Sequence, residues 1–522
     1  MWNMFLLETL VSVLLGFALF SLIDAFGRKR KNREPPLIKG WIPYIGKALE
    51  FGRDPSRFLA ALKKEYGDIF TVRIAGKYIT FIMNPNLYPA VIKHGKQLDF
   101  HEFSDQVSPR TFGYPCIRSS KFPGLDDQIQ RSYQLLKGEN LNTLAQSMVE
   151  NLELVLQQDH HTQGSQWRTD ELYGFCCRVM FEATFMTLYG QPSQGSRHTH
   201  IAALTEKFKK FDAVLPLLIA GVPISLLGAA KAAREELKRF LLPQRLASML
   251  APSRFIQDRV NMFEQYHMLG DLDKAGHHFT ILWASVGNTV PATFWAVYHL
   301  LMQPEALDAV REEIRCVLLP SQQEVGSNVV PILTRERMDR LLLLDSAVSE
   351  SLRLSAASMN IRVAQEDFTL LLAPDLPVDL RQGDIVALYP QIMHMDPEIF
   401  EEPQSYRFDR FVEDGQQKRK FGKSDQKLTY CCMPFGSGST KCPGRYLAML
   451  EIKQFLCLIL LCFEVELLDP QKQVGLDQSR AGLDEVYGPV QAKRDGSSKG
   501  YVLLLTGGKT EVLQNVAREI FL

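Results

Sequence analysis

The chain has 522 residues, of which 46% are apolar and 23% charged, which is ordinary for a globular protein with a large core. Its 59 basic and 59 acidic residues cancel to a formal net charge of zero, so nothing indicates nucleic acid as a partner. The nine cysteines show no regular spacing and no Cys-x-x-Cys pair, which argues against a disulfide framework and a zinc ribbon.

The N-terminus has the pattern of a membrane anchor. An apolar run over residues 4–26 contains only Glu8 and Asp24 as charged residues and is long enough to cross a bilayer. The basic stretch GRKRKNR follows it, and basic residues beside a span favour the cytosolic side. A cleaved signal peptide would carry its basic residues before the apolar run. We predict an anchor over residues 1–26 and a basic, proline-containing linker over residues 27–36.

The rest of the chain mixes helical and strand patterns, with helix dominant. Residues 55–67 form an amphipathic pattern that begins at a proline and ends at a glycine, which predicts a helix. Residues 68–85 predict two strands around a Gly-Lys turn, and EDFTLLL and DIVALYP predict further strands. The fold class is therefore mainly α with small β-sheets (α+β). We predict one continuous domain over residues 37–506 and a tail of unknown role over residues 507–522.

An apolar stretch at residues 213–230 contains two prolines and two glycines, a composition that disfavours one stable helix. We interpret it as a hydrophobic loop that enters a membrane surface or covers an apolar channel. A pair of buried helix ends is the alternative.

The run PFGSGSTKCPGRYLAML, at residues 434–450, places Cys442 among glycines and just before a helical pattern. Glycine lets the backbone approach a flat ligand because it has no Cβ atom. Unpaired N–H groups at a helix N-terminus favour an anion, so we expect the pKa of the Cys442 thiol to be lowered. A thiolate beside a flat surface suits an axial haem ligand. A buried structural cysteine is the alternative.

This run contains the pattern Phe-x-x-Gly-x-x-x-Cys-x-Gly. The pattern resembles the haem-binding loop of the cytochrome P-450 monooxygenases. The resemblance implies the cytochrome P-450 fold, haem b as the cofactor and Cys442 as the axial ligand of its iron. The further cofactor-binding residues that it implies in this loop are Phe435, Gly436, Gly438 and Gly444.

Two more motifs support the same resemblance. Glu350 and Arg353 form Glu-x-x-Arg in SESLRLS, and positions i and i+3 share one helix face, although such pairs are often exposed and weak. The family implies a buried structural triad of Glu350, Arg353 and Arg410. It also matches Arg362 to a position that binds a haem propionate. The family's basic residue two positions before the cysteine is Thr440 here, and its Trp-x-x-x-Arg motif is missing, so propionate binding is only partly explained.

The segment LWASVGNTVPATFW, at residues 282–295, carries the oxygen-side signal. Pro291 lacks an N–H group, so the Gly287 carbonyl loses its helical donor and a groove should open beside Thr289. A simple kink is the alternative. The resemblance matches Thr289 to the threonine that supports dioxygen activation by relaying protons. The family's usual acid is replaced by Asn288, so we predict Thr289 and Asn288 as catalytic residues and expect Asn288 to contact a substrate hydroxyl.

The resemblance extends along the whole domain. Segments such as PPLIKGWIPYIG, FCCRVMFEA and ALYPQIMHMDPEIF resemble the sterol 7α-hydroxylases. This implies hydroxylation of a sterol, cholesterol or an oxysterol, at the 7α position with O2, as in bile acid synthesis and cholesterol catabolism. An apolar residue at such a position can equally be plain core. The substrate residues implied by position are Trp283, Ala284, Asn288, Ala357, Ser358, Met359 and Leu483.

The remaining partners follow from the resemblance and from the anchor. The chain has no flavin or nicotinamide fingerprint, so electrons should come from NADPH through a separate reductase. The basic loop KRKFGK, at residues 418–423, either helps to dock that reductase or is a solvated loop. The expected location is the endoplasmic reticulum membrane, crossed once, with the catalytic domain facing the cytosol. Nothing indicates an obligate oligomer.

Other functions share much of this pattern. A sterol 12α-hydroxylase would show nearly all of it. A prostacyclin-synthase-like haem-thiolate isomerase, or a haem-binding membrane protein without catalysis, has little use for the Thr289 hydroxyl. Thr289 therefore favours hydroxylation. The exact sterol and the carbon attacked are left open.

Overall fold

A computed structural model of the chain describes Gly16 and residues 28–160, 168–192, 197–318, 333–356, 359–467 and 489–493. Gly16 aside, the predicted span at residues 4–26 lies outside the described residues, and so does the tail at residues 507–522. Within the described ranges, no helix is long and apolar enough to cross a membrane.

Helices make up most of the described chain. They are α1 (Ala48–Arg53), α2 (Pro55–Tyr66), α3 (Tyr88–Ile92), α4 (Phe100–Phe112), α5 (Leu125–Ser132), α6 (Gly138–His160), α7 (Leu172–Tyr189), α8 (Arg197–Asp212), α9 (Leu215–Ile219), α10 (Gly228–Phe240), α11 (Pro243–Ala247), α12 (Arg254–Glu264), α13 (Asp271–Val286), α14 (Thr289–Leu301), α15 (Pro304–Leu318), α16 (Arg335–Met338), α17 (Leu342–Ser355), α18 (Pro390–His394) and α19 (Arg445–Cys462).

The strands are short. They are β1 (Leu37–Ile38), β2 (Ile69–Ile74), β3 (Lys77–Ile82), β4 (Leu98–Asp99), β5 (Arg168–Glu171), β6 (Asn360–Ala364), β7 (Phe368–Ala373), β8 (Leu376–Leu380), β9 (Ile385–Leu388), β10 (Val412–Glu413), β11 (Gln416–Gln417), β12 (Gly422–Lys423), β13 (Gln426–Lys427), β14 (Glu464–Leu467) and β15 (Pro489–Lys493). The largest sheet is mixed and has the order β1-β2-β3-β9-β6-β4. A three-stranded sheet has the order β14-β15-β5, and the other strands pair as hairpins.

Local signals explain the elements that were predicted from sequence. The Asp54 carboxylate accepts a hydrogen bond from the Arg57 N–H at 2.8 Å, which caps the start of α2. Gly67, with a φ of +84°, follows its last residue. The helix predicted over residues 55–67 is thus confirmed to within one residue. The predicted hairpin is confirmed as β2 and β3, although its turn is Ala75–Gly76 because Lys77 already belongs to β3.

The stretch at residues 213–230 combines the two interpretations offered for it. Leu218 and Ile219 of helix α9 are buried and belong to the main hydrophobic core. The following 3-10 turn leaves Leu226 74% exposed. The first half is therefore a buried helix, and the second half contains an exposed apolar turn.

The functional elements meet where the helices pack against the large sheet. Helix α14 is the centre of the helical layer and contacts α7, α17 and α19. Its Phe294 and Trp295 are almost fully buried. Strand β6 contacts α4 on the sheet side. Most of the described residues that were predicted to be functional lie on α13, α14, α17 and β6, at the α13–α14 break and in the loop before α19. Arg410 lies just before β10.

Candidate active site

The loop before α19 is held in a tight, irregular path. Gly436 and Gly438 have φ angles of +72° and +64°, which L-residues with a side chain rarely adopt. A Cβ atom on Gly438 would also lie 2.7 Å from Cγ2 of Ile92. The Cys442 N–H donates to the Phe435 carbonyl at 2.9 Å, which closes the loop. The glycines are therefore needed for the backbone path that brings Cys442 to the start of α19.

The Cys442 thiol receives two backbone N–H groups, from Gly444 and Arg445. Gly444 is the N-cap of α19, so these are donors that the helix itself leaves unpaired. Burial nevertheless raises the pKa of the thiol, and the two N–H groups together with the Arg445 charge offset only part of that increase. Our expectation of a lowered pKa was wrong because desolvation outweighs the helix N-terminus. The donors remain available to stabilise a metal-bound thiolate.

Glu350, Arg353 and Arg410 form one buried network. Arg353 donates Nε to Glu350 Oε2 at 2.7 Å and Nη2 to Oε1 at 2.8 Å, in a bidentate pair that is fully buried. Arg410 donates Nε to the same Oε1 at 2.7 Å. The Arg407 N–H also donates to Oε1, at 3.2 Å. The pair is thus the buried network of the family resemblance and not an exposed ion pair.

His394, at the end of α18, joins this network to the cysteine loop. Its carbonyl accepts from Arg353 Nη1 at 2.5 Å, and its Nε2 accepts from the Met433 N–H at 3.0 Å. Burial lowers the pKa of His394 to about 3, so the ring is neutral and free to accept. Sequence reasoning missed this residue. The only signal was its position in ALYPQIMHMDPEIF, shortly after DIVALYP.

Arg362 on β6 lies against the same loop from the sheet side. Its Nη2 donates to the Ser437 carbonyl at 3.2 Å, and Ser437 Oγ donates to Asn360 Oδ1 at 2.9 Å. Burial lowers the pKa of Arg362 to about 10, and the charge of Asp99 acts in the opposite direction. Within the described ranges, Asn360 Nδ2 is buried without an acceptor. A buried guanidinium beside an unpaired amide N–H fits the anionic propionates of haem.

The helix that carries Thr289 is interrupted where Pro291 predicts. Helix α13 ends at Val286, and α14 begins at Thr289. The intervening Gly287 and Asn288 form a turn, although both keep αR backbone dihedrals. Thr289 is buried, and its carbonyl accepts from Thr293 Oγ1 at 2.8 Å. The interruption places a buried hydroxyl at the start of a new helix.

Two of the predicted substrate residues face open space from this helix. Ala284 is exposed and Asn288 is half-buried, whereas Leu282 and Trp283 beside them are buried. Because positions four apart share one helix face, Ala284 and Asn288 lie on the same side of this segment. Met359 is buried ahead of β6. Of the other positions, Ala357, Ser358 and Leu483 lie outside the described residues.

A cysteine at a helix N-terminus, a buried Glu–Arg–Arg network behind it and a buried arginine beside it form the arrangement expected of a haem-thiolate protein. The family comparison agrees, since the cytochrome P450 family model matches residues 35–483. The chain belongs to the cytochrome P450 family. The family implies haem held by a thiolate, O2 and an organic substrate as reactants, and electrons from a redox partner. Its mainly helical fold with small sheets is the one predicted.

Curated relatives cover nearly the whole chain. Cytochrome P450 7B1 of Mus musculus is 41% identical over 469 residues, which are 90% of this chain and 91% of the relative. Cholesterol 7-alpha-monooxygenase of Cricetulus griseus is 41% identical over 463 residues, 87% of this chain and 92% of the relative. The 7-alpha-hydroxycholest-4-en-3-one 12-alpha-hydroxylase of Oryctolagus cuniculus is 35% identical over 508 residues, 94% of this chain and 97% of the relative. These names confirm the enzyme class predicted from sequence, a cytochrome P-450 monooxygenase.

Proposed function

We propose that this protein hydroxylates a sterol, cholesterol or an oxysterol, at the 7α position. The observation that carries the proposal is the 41% identity, over 87% of the chain, to a relative named cholesterol 7-alpha-monooxygenase. The site supports it chemically. It combines a cysteine at a helix N-terminus with a buried threonine and an adjacent half-buried amide at the α13–α14 break.

In this proposal, haem b would supply the activation of O2, using two electrons from a partner. The Cys442 thiolate would hold its iron, stabilised by the N–H groups of Gly444 and Arg445. Arg362 would bind a propionate. Phe435, like Gly436 and Gly438, shapes the loop around the cofactor. The triad built on Glu350 fixes the segments behind that loop.

Thr289 and Asn288 act on the other side of the cofactor. The buried Thr289 hydroxyl passes protons from water into the site, since it can both donate and accept. Asn288 cannot release a proton as an acid does, so its amide is assigned to a substrate hydroxyl. Ala284 and Trp283 contribute apolar surface to the sterol pocket. The other predicted pocket positions, Ala357, Ser358, Met359 and Leu483, are kept as proposals.

The membrane location is also a proposal: the endoplasmic reticulum, with a single span over residues 4–26. The linker supports it, because Arg28 pairs with the buried Asp384 and Glu34 accepts from Arg381 Nη2 at 2.9 Å. These contacts fix the linker to the domain. Trp41 and Tyr44, which follow it, are 80% and 55% exposed, as aromatic residues at a lipid headgroup layer would be.

The proposed electron donor is a separate NADPH-dependent reductase. The basic loop at residues 418–423 gives it little support. Lys418 pairs with Glu413 at 2.8 Å, and Lys423 pairs with Glu398 at 2.9 Å and also with Asp396. The lysines at both ends of this loop are thus neutralised within the protein, which favours the interpretation as a solvated loop.

Sterol 12α-hydroxylation is the second candidate, because a relative of that name is 35% identical over 94% of this chain. The test is product analysis. The purified protein is reconstituted with a microsomal reductase and NADPH, and is offered cholesterol, 27-hydroxycholesterol and 7α-hydroxycholest-4-en-3-one separately. We expect 7α-hydroxylated product from one of the first two. A 12α product from the third sterol alone would support the second candidate, and no sterol-dependent product would reject both.

A further inference from the structure

One hydrogen bond links the last residue of α8 to the helix that carries the oxygen-side residues. Trp283 on α13 donates its indole Nε1–H to Asp212 Oδ1 at 3.0 Å. The indole is 4% exposed, so the bond is shielded from water. Buried tryptophan N–H groups need an acceptor, and a carboxylate is the strongest acceptor that a side chain provides.

The same indole lies against the break between α13 and α14. A Cβ atom on Gly287 would be 3.1 Å from the indole Nε1 and 3.2 Å from Cε2 of Trp283. The Gly287 N–H donates to the Trp283 carbonyl at 2.8 Å. A movement of the indole therefore displaces Gly287 directly. Asn288 and Thr289 are the next two residues in the chain.

An aromatic cluster surrounds this contact, and the polar bond adds a directional constraint on the indole. The Phe112 ring lies 5.8 Å from Trp283, and Phe211 lies 4.8 Å from Phe279. Such ring contacts tolerate small rotations, whereas an N–H···O bond depends strongly on angle. Asp212 also lies at the C-terminus of α8, where the helix dipole disfavours an anion. Its placement is locally unfavourable, and the bond to Trp283 compensates for it.

We propose that Asp212 is a positioning residue that holds the Trp283 indole against Gly287. It thereby couples α8, on the sterol side, to the break that carries Asn288 and Thr289. Where it concerns the sterol, this rests on the proposed function. Loss of the carboxylate frees the indole to rotate, so the sterol is held in more than one orientation and NADPH is consumed without product.

The test uses the full-length enzyme labelled with ¹⁵N at tryptophan. The chain has five tryptophans, and Trp283→Phe identifies the indole resonance that belongs to Trp283. Spectra of the reduced carbon monoxide complex, which is diamagnetic, are recorded for Asp212→Leu and Asp212→Asn. Glu206→Leu is the matched control, because Glu206 lies on α8 and its carboxylate pairs with Lys209 at the surface. An unchanged carbon monoxide band confirms that each variant is folded.

We expect Asp212→Leu to shift the Trp283 indole resonance, to speed its exchange with solvent and to lower product formed per NADPH about tenfold. Asp212→Asn keeps an oxygen acceptor and should recover most of that yield. The double variant Asp212→Leu/Trp283→Phe should lose no more yield than the larger single loss, because both remove one bond. Additive losses, or an indole resonance that Asp212→Leu leaves in place, would overturn the proposal. If no sterol is hydroxylated by the parent enzyme, the proposed function fails while the resonance still decides the Asp212 bond.

Discussion

The two sides of the site differ in how completely their side chains are buried and hydrogen-bonded. Behind the cysteine loop, Glu350 and Arg353 are fully buried and meet through two hydrogen bonds. On the other side, α13 stops at Val286, and Ala284 and Asn288 face open space. A metal ligand needs one fixed geometry, which a fully paired buried network supplies. A pocket for a large apolar substrate needs room and a few polar groups. This contrast predicts that substitutions behind the cysteine loop reduce stability or haem binding, whereas substitutions on the other side reduce catalysis or substrate binding.

The largest effect is expected at the metal ligand. Cys442→Ala removes the sulfur donor, so the reduced carbon monoxide complex should lose the absorption band that is typical of haem-thiolate proteins. Difference spectra of detergent-solubilised protein measure this. Cys316→Ala, which changes an exposed cysteine far from the loop in sequence, is the control and should keep the band. Persistence of the band in Cys442→Ala would remove Cys442 as the ligand.

The next effect is on stability. Glu350→Gln leaves Arg353 and Arg410 buried without a counter-charge, and breaking a buried network in this way costs about 3–5 kcal/mol. The change should appear in the free energy of unfolding and as loss of bound haem during purification. Glu401→Gln is matched to it, since Glu401 pairs with Arg407 at the surface and should cost less than about 1 kcal/mol. Equal costs for the two variants would mean that the network does not hold the fold.

On the distal side the loss should be catalytic. Thr289→Ala removes a buried hydroxyl but no charge, so haem and sterol should still bind. General acid–base groups contribute about 10²–10⁴-fold to rate. The amount of product formed per NADPH consumed should therefore fall by a factor that approaches this range. Parallel assays of NADPH consumption and hydroxysterol measure the coupling. Thr289→Ser restores the hydroxyl and should restore most of it, and unchanged coupling in the alanine variant would contradict the proton role.

The proximal side was the easier one to predict from sequence. Its parts are contiguous motifs with fixed spacing, so Cys442, Glu350 and Arg353 could be identified before any contact was known. The helix break at Gly287 was also predictable, since Pro291 acts locally. The lowered thiol pKa was predicted wrongly, because the burial of Cys442 depends on the packing of the whole domain.

Other contacts could not be predicted because they join distant parts of the chain. Trp283 and Asp212 are 71 positions apart, and Met433 and His394 are 39 apart. Neither pair forms a pattern within one element. Such pairs follow from tertiary packing, which single-sequence patterns do not encode.

His394 tests whether the link between the triad and the loop matters. His394→Leu removes the His394 Nε2 acceptor of the Met433 N–H, and the loss of such a buried hydrogen bond costs about 1–3 kcal/mol. Because the neutral ring accepts at Nε2, the effect should not depend on pH between 5 and 8, given a pKa of about 3. Unfolding curves and the rate at which the carbon monoxide band decays measure it. His394→Gln offers an amide oxygen in place of Nε2 and should recover part of the loss. An unaltered decay rate in the leucine variant would show that the link is dispensable.

The smallest expected effect is on the binding of the sterol and not on its reaction. Asn288→Leu keeps the size of a half-buried side chain on the open face of the helix but removes both its donor and its acceptor. A neutral hydrogen bond contributes about 0.5–1.5 kcal/mol, so the dissociation constant of cholesterol should rise about threefold to tenfold. A sterol that lacks the 3-hydroxyl should bind the variant and the parent enzyme equally, because it makes no such bond. Equal weakening for the two sterols would mean that Asn288 contributes only packing contacts to the pocket wall. The distal side would then bind its substrate without a hydrogen bond at this position.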